Sequence, residues 1–85
     1  MQITANKGSM ILDYYPIKDW SDNIIPDQFL RILTFRGETM TKRIVSRQIM
    51  DEDVISRTED YGYKVTHYNT IPQYSSLHKE DNYNV

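Results

Sequence analysis

Two histidines and a short acidic run are the residues of this chain whose types could support metal chemistry. His67 and His78 stand eleven positions apart, without a cysteine or an HExxH pattern beside them. The run Asp51-Glu52-Asp53 resembles the start of a calcium loop, but Ser56 and Gly62 occupy the places where such a loop needs glycine and glutamate. The spacing therefore predicts no metal site and no bound cofactor.

Nucleophilic and phosphate chemistry lack a motif as well. The three glycines, at positions 8, 37 and 62, are too scattered to form a phosphate-binding loop, and no nucleophile elbow is present. The chain contains no cysteine, which excludes thiol catalysis. We therefore expect a protein that is not an enzyme, hydrolyses no nucleotide, peptide or ester, and retains no zinc.

Basic and acidic side chains are segregated along the chain. Residues 31–50 carry five basic residues against Glu38 alone, and residues 51–62 carry five acidic residues against Arg57 alone. A basic track can follow a phosphate backbone, so nucleic acid is one candidate partner. Its contacts would come from Arg36, Lys42, Arg43 and Arg47, with Arg31 in the same segment. The simpler interpretation is that the two blocks neutralise one another, because the whole chain has a net charge of −2.

The seven tyrosines are more than a small core can bury. Tyrosine is enriched in protein interfaces because it offers a large apolar body with a polar tip. The stretch 63–68 alternates like a strand, so Tyr63, Val65 and His67 share one face, and Lys64, Thr66 and Tyr68 share the other. We predict a partner-binding surface, for another protein or a second copy, formed by Tyr63, Lys64, His67, Tyr68 and Tyr74.

The chain's 85 residues allow a single domain with one thin core. We expect that domain to span residues 1–72, followed by a polar, loosely ordered tail at 73–85. The N-terminus has no apolar signal-peptide region, and no run approaches the length of a membrane span. Together with the lack of cysteine, this predicts a cytoplasmic protein that does not engage a membrane.

The elements that would position these residues are predicted from periodicity and turn chemistry. A strand at 9–15 ends at Pro16, residues 2–5 pair back on it, and residues 18–25 form a loop. For the next segment a helix at 26–36 is preferred, with a strand at 29–36 that turns at Arg36-Gly37-Glu38 as its rival.

The second half of the chain has a clearer pattern. Residues 39–50 form a strand, and a helix at 51–62 starts at the cap residue Asp51 and ends at Gly62. That helix buries Val54 and Ile55, and a last strand covers 63–68. The fold class is α+β: a small antiparallel or mixed sheet of three to four strands with one or two short helices packed on one face.

We therefore predict a non-enzymatic, small protein-binding module. Alanine occurs once, whereas isoleucine occurs ten times and tyrosine seven, a composition typical of A/T-rich genomes. This composition and the small size suggest a phage or mobile-element accessory factor that modulates or inhibits a host protein. The alternative is a small nucleic-acid-binding regulatory protein that uses the basic segment 31–47.

Overall fold

The computed structural model describes residues 2–68 and 75–76. Four strands come first: β1 (Gln2–Lys7), β2 (Met10–Lys18), β3 (Ile24–Phe35) and β4 (Glu38–Ser46). They are followed by helix α1 (Arg47–Tyr61), strand β5 (Lys64–Tyr68) and the two-residue strand β6 (Ser75–Ser76).

The five main strands form an antiparallel sheet in the order β4-β3-β2-β1-β5. The first four make a meander in which each strand pairs with the one before it. β5 then pairs with β1, with Gln2 opposite Tyr68 and Asn6 opposite Lys64. β6 adds a short parallel pairing to the end of β2. β4 and β5 are therefore the two edge strands of the main sheet, and α1 connects them.

Helix α1 begins and ends with recognisable caps. The Ser46 side chain accepts a hydrogen bond from the backbone N–H of Ile49 at 3.2 Å, which satisfies one of the free amides of the first turn. At the other end, Gly62 adopts the left-handed conformation with φ of 72° and donates its N–H to the carbonyl of Arg57. These caps limit the helix to one crossing from β4 to β5.

The core lies between α1 and one face of the sheet. Cross-strand neighbours supply it in matched pairs: Ile3 lies opposite Tyr14, and Ala5 lies opposite Leu12. From the helix, Met50 is fully buried against them. The remaining buried members of this cluster are Phe29, Val45 and Tyr63. Alternation along each strand therefore divides the sheet into a helix-covered face and an opposite face.

The α+β class is confirmed, but the sheet has five main strands instead of three to four, and one helix covers it. The pairing of the N-terminal arm with the next strand is also confirmed. The preferred helix at 26–36 is wrong, because these residues belong to β3 and turn at Arg36-Gly37 as the rival interpretation required. Pro16 does not end β2, which continues to Lys18.

The helix begins earlier than predicted. Residues 47–50 form its first turn instead of ending β4, so the cap is Ser46 and not Asp51. This start rotates the buried stripe onto Met50, with Val54 partly buried beside it. Ile55 is 55% exposed and is not a core residue, which corrects its predicted burial. The domain and tail boundaries stay a prediction, because most of residues 69–85 lie outside the described residues.

Within residues 2–68, α1 is too short and too polar to cross a membrane.

Candidate functional site

A wide bulge in β3 shapes the surface of this end of the sheet. Lys18 pairs with Ile24 and Pro16 pairs with Phe29, so the four residues 25–28 lie opposite Ile17 alone. Pro26 suits such a position because it has no N–H to contribute to a ladder. Asp27 has a φ of 58°, in the left-handed region that few residues other than glycine adopt. The bulge therefore interrupts the pairing of β3 with β2 over a short, strained segment beside the start of α1.

Two adjacent depressions flank this segment, and together we call them the loop-end groove. The smaller, of about 270 Å³, has mostly apolar walls. They come from Pro16, Ile24, Ile25, Pro26, Asp27, Gln28, Phe29 and Arg47. The larger, of about 490 Å³, is lined by Asp27, Ser46, Arg47, Gln48 and Asp51, which all carry polar side chains. Both depressions share Asp27 and Arg47, so the two side chains form the ridge between them.

Arg47 is held on this ridge by two contacts. Its Nε donates to Oδ1 of Asp27 at 2.9 Å, and its guanidinium carbon lies 5.0 Å from the centre of the Phe29 ring. The pair is well exposed, with 44% of the Arg47 side chain and 74% of the Asp27 side chain accessible, so the ion pair itself contributes at most about 1 kcal/mol to stability. Together the two contacts place the Arg47 guanidinium between Asp27 and the Phe29 ring.

The loop that joins β2 to β3 is ordered by one carboxylate. Oδ1 of Asp19 accepts the backbone N–H groups of Ser21 at 2.9 Å and Asn23 at 3.0 Å. The backbone of Asp19 also bonds to Asn23 and to Asp22, which adopts a φ of 66°. This closed loop presents Trp20 with 57% of its surface exposed, and it leads directly into Ile24, which is equally exposed and lines the smaller depression.

A second polar constellation lies under the helix and joins the two oppositely charged blocks of the sequence. The carboxylate of Asp53 accepts the hydroxyl of Tyr14 and Nε of Arg31 at 3.1 Å, and it faces Nε of Arg57 at 3.4 Å. Arg57 in turn donates to the hydroxyl of Tyr63 at 3.1 Å. Because Tyr14 is fully buried and Arg31 is only 6% exposed, this network fastens α1 to the sheet.

The electrostatics of the network follow from this geometry. Burial alone would raise the pKa of Asp53, but the hydrogen bonds from Tyr14 and Arg31 and the positive charges of Arg31 and Arg57 outweigh it and hold that pKa below its usual value. Burial, followed by the hydrogen bond to Asp53, raises the pKa of the Tyr14 hydroxyl. At neutral pH the network therefore contains an ionised carboxylate and a protonated phenol.

These two shifts predict how stability depends on pH. A lowered carboxyl pKa contributes stability above the unfolded-state value of about 3.9, and this contribution is lost as the pH falls through the folded-state pKa. A raised tyrosine pKa contributes stability below about 10, and this is lost as the pH rises further. In urea unfolding at several pH values, we expect the stability difference between the native chain and Asp53→Asn to narrow in acid. A constant difference would contradict the assignment.

The residues predicted to bind a partner do not form one surface among the described residues. Tyr63 is only 8% exposed and belongs to the core, which corrects its predicted place on an accessible surface. Lys64 and His67 are exposed on opposite faces of β5, with His67 beside Ile3 on the helix side. Tyr68 ends β5, opposite Gln2, and Tyr74 lies outside the described residues.

The residues predicted to bind nucleic acid are also separated. Arg36 lies in the β3–β4 turn, where its guanidinium carbon is 5.0 Å from the centre of the Phe35 ring. Lys42 and Arg43 are consecutive on β4 and point to opposite faces of the sheet. Arg47 is paired with Asp27 at the far end of that strand. The described part of the basic segment therefore does not form a continuous track.

Metal-ligating side chains are not gathered anywhere in the described ranges, where no three histidine or carboxylate residues come together. The acidic run 51–53 lies within α1, so it has helical geometry and cannot wrap around a cation as a calcium loop does. His78 lies outside the described residues.

The sequence pattern does not predict the loop-end groove. It predicts the start of a helix at Pro26 and Asp27, and a loop at residues 18–25. One available signal is Trp20, a large apolar side chain placed between Asp19 and Ser21 in a polar stretch.

Comparison with protein-family models, curated proteins and solved structures gives no match to this chain.

Proposed function

We propose that this chain is a non-enzymatic protein-binding module whose partner docks on the loop-end groove and on Trp20 in the loop that leads into it. The observation that carries the proposal is the closed Asp19 loop, which holds Trp20 more than half exposed four residues before Ile24, itself more than half exposed and part of the lining of the smaller depression. Tryptophan and arginine are the residues most enriched at the energetic centres of protein interfaces, and Arg47 forms the ridge of this groove.

The ordered backbone of this loop favours binding, because it lowers the conformational entropy lost on association. An interface residue that is already held in position loses less conformational freedom on association, so more of its contact energy appears as affinity. Asp22 and Asp27 both adopt left-handed backbone conformations, and such strain persists where the surrounding structure enforces it, often at ligand-binding positions. Met40 and Ile55 are also exposed apolar residues, but they line neither of the two depressions of the groove, whereas Ile24 does.

Photo-crosslinking tests the proposal with matched positions. Benzoylphenylalanine replaces either Ile24 or Ile55, which are 57% and 55% exposed, and each protein is irradiated in an extract of its native cells. We expect a discrete protein adduct from position 24 and none from position 55. Equal labelling at both positions, or no adduct at position 24, would contradict docking at the groove.

Truncating the tryptophan tests its energetic role. We expect Trp20→Ala to weaken binding of the crosslinked partner by about 2 kcal/mol, or roughly thirtyfold in Kd, while changing folding stability by less than about 1 kcal/mol. Tyr61→Ala is the matched control, because Tyr61 is 56% exposed at the far end of α1. Titration calorimetry gives the affinities, and an equal loss of affinity in both variants would contradict a specific role of Trp20.

The nucleic-acid alternative has a distinct outcome in the same experiments. An interaction that nuclease treatment removes, that weakens steeply with salt and that is lost in Arg36→Ala or Arg43→Ala would replace the protein-binding proposal. The role of a phage or mobile-element accessory factor that inhibits a host protein stays a prediction from composition.

A further inference from the structure

The loop-end groove is surrounded by more negative than positive charge. Arg47 lines it and Lys18 pairs with its lining residue Ile24, and each of these cations faces a carboxylate, Asp27 at 2.9 Å and Asp22 at 3.5 Å. Three further carboxylates of the loop and of the first turns of α1 face no described cation within ion-pair distance, and of these Asp51 lines the groove. They are Asp19, Asp51 and Glu52.

Asp51 is the most informative of these carboxylates, because it is exposed and lines the larger depression. The start of α1 contributes an opposing partial charge of about +0.5 at its free amides, and Ser46 already satisfies one of them. The Asp27–Arg47 pair is neutral as a whole, so the full negative charge of Asp51 outweighs that half charge in the lining of the larger depression. A ligand group entering the larger depression therefore meets a negative potential, which favours a cation and disfavours a carboxylate.

The smaller depression favours an apolar ligand group. Pro16, Ile24 and Phe29 give it apolar walls, and its volume of about 270 Å³ is slightly below the range typical of small-molecule pockets. That space suits one large apolar side chain of a partner. The ridge of Arg47 and Asp27 separates this site from the acidic depression, so the two ligand groups belong on neighbouring residues of the same segment.

We infer that the partner presents a short basic-apolar segment, with one large apolar side chain in the smaller depression and an adjacent lysine or arginine facing Asp51. This inference rests on the proposed function, because it names the chemistry of the partner at the same groove. Charge complementarity of this kind acts mainly on partner choice and on the rate of association.

A random twelve-residue peptide library displayed on phage tests the inference without a known partner. The native chain is the bait, and Trp20→Ala is the counter-selection bait that removes peptides bound elsewhere. We expect the retained peptides to be enriched in lysine or arginine next to a leucine, isoleucine, methionine or aromatic residue. The best peptide should bind Asp51→Lys at least tenfold more weakly than the native chain, as measured by fluorescence polarisation.

Glu59→Lys is the matched control, since Glu59 is an exposed acidic residue on the same helix that does not line the groove. It should leave the affinity within about twofold. Retained peptides without a basic excess, or with equal affinity for Asp51→Lys, would overturn the inference while leaving protein binding at the groove intact. The absence of any Trp20-dependent peptide would overturn both.

Discussion

Replacing Asp53 with alanine is expected to destabilise the fold by about 3–5 kcal/mol, the largest effect of any single substitution considered. The reason is that two buried groups, on Arg31 and Tyr14, lose the carboxylate that they contact. Arg31 is 6% exposed and would be left as a buried charge without its counter-ion, and the buried hydroxyl of Tyr14 would lose its acceptor. The total free energy of unfolding of a typical domain is roughly 5–15 kcal/mol, so this substitution removes a large fraction of it and lowers the melting temperature.

Urea unfolding followed by circular dichroism measures this loss. Glu59→Ala is the control, because Glu59 is exposed on the same helix and should change stability by no more than about 0.5 kcal/mol. If Asp53→Ala costs less than about 1 kcal/mol, the network does not fasten α1 to the sheet. Asp53→Asn separates shape from charge, since the amide can still accept the Tyr14 hydroxyl but carries no charge for Arg31.

Met50→Ala is expected to cost about 2–5 kcal/mol, whereas Ile55→Ala should cost no more than about 0.5 kcal/mol. Met50 is fully buried between α1 and the sheet, so truncation leaves a cavity among Phe29, Val45 and their neighbours. Ile55 is 55% exposed on the other side of the same helix. Thermal and urea unfolding of the two variants decide the helix register. A larger cost for Ile55→Ala would mean that the helix is rotated from the orientation described.

The helix error at 26–36 has a physical cause. β3 lies inside the sheet, and it buries Phe29 on the helix-covered face and Leu30 on the opposite face. A strand that is buried on both faces loses the alternation of apolar and polar residues that identifies a strand, and its continuous apolar run also satisfies helical spacing. The turn at Arg36-Gly37 was predictable because a glycine with a φ of 82° is a local feature.

The early start of α1 was missed for a related reason. Residues 47–50 carry no acidic side chain, although acidic residues favour the first turn of a helix. The run 51–53 provides that signal, so the sequence pattern predicts the start of the helix one turn too late. Gly62 was predicted correctly as the helix end, because a left-handed cap depends on one residue. Local chemistry was thus reliable where a single residue determines the conformation.

The candidate site depends on contacts that no local pattern contains. The loop-end groove exists because four residues of β3 lie opposite Ile17 and because α1 starts beside them, and both facts follow from strand pairing. The Asp53 network likewise joins residues from β2, β3 and α1. Sequence could predict that the basic and acidic blocks neutralise one another in part, which the contact between Arg31 and Asp53 shows.

The position of β5 beside β1 has a consequence for synthesis of the chain. The four-stranded meander needs only pairings between consecutive strands, so it can assemble as soon as residue 46 has left the ribosome. β1 nevertheless keeps an unpaired outer edge over Gln2–Asn6 until residues 64–68 emerge and α1 has carried them across the sheet. An open edge of this kind is a template for other chains. The outer edge of β1 is therefore open to pairing with other chains for as long as β5 has not formed.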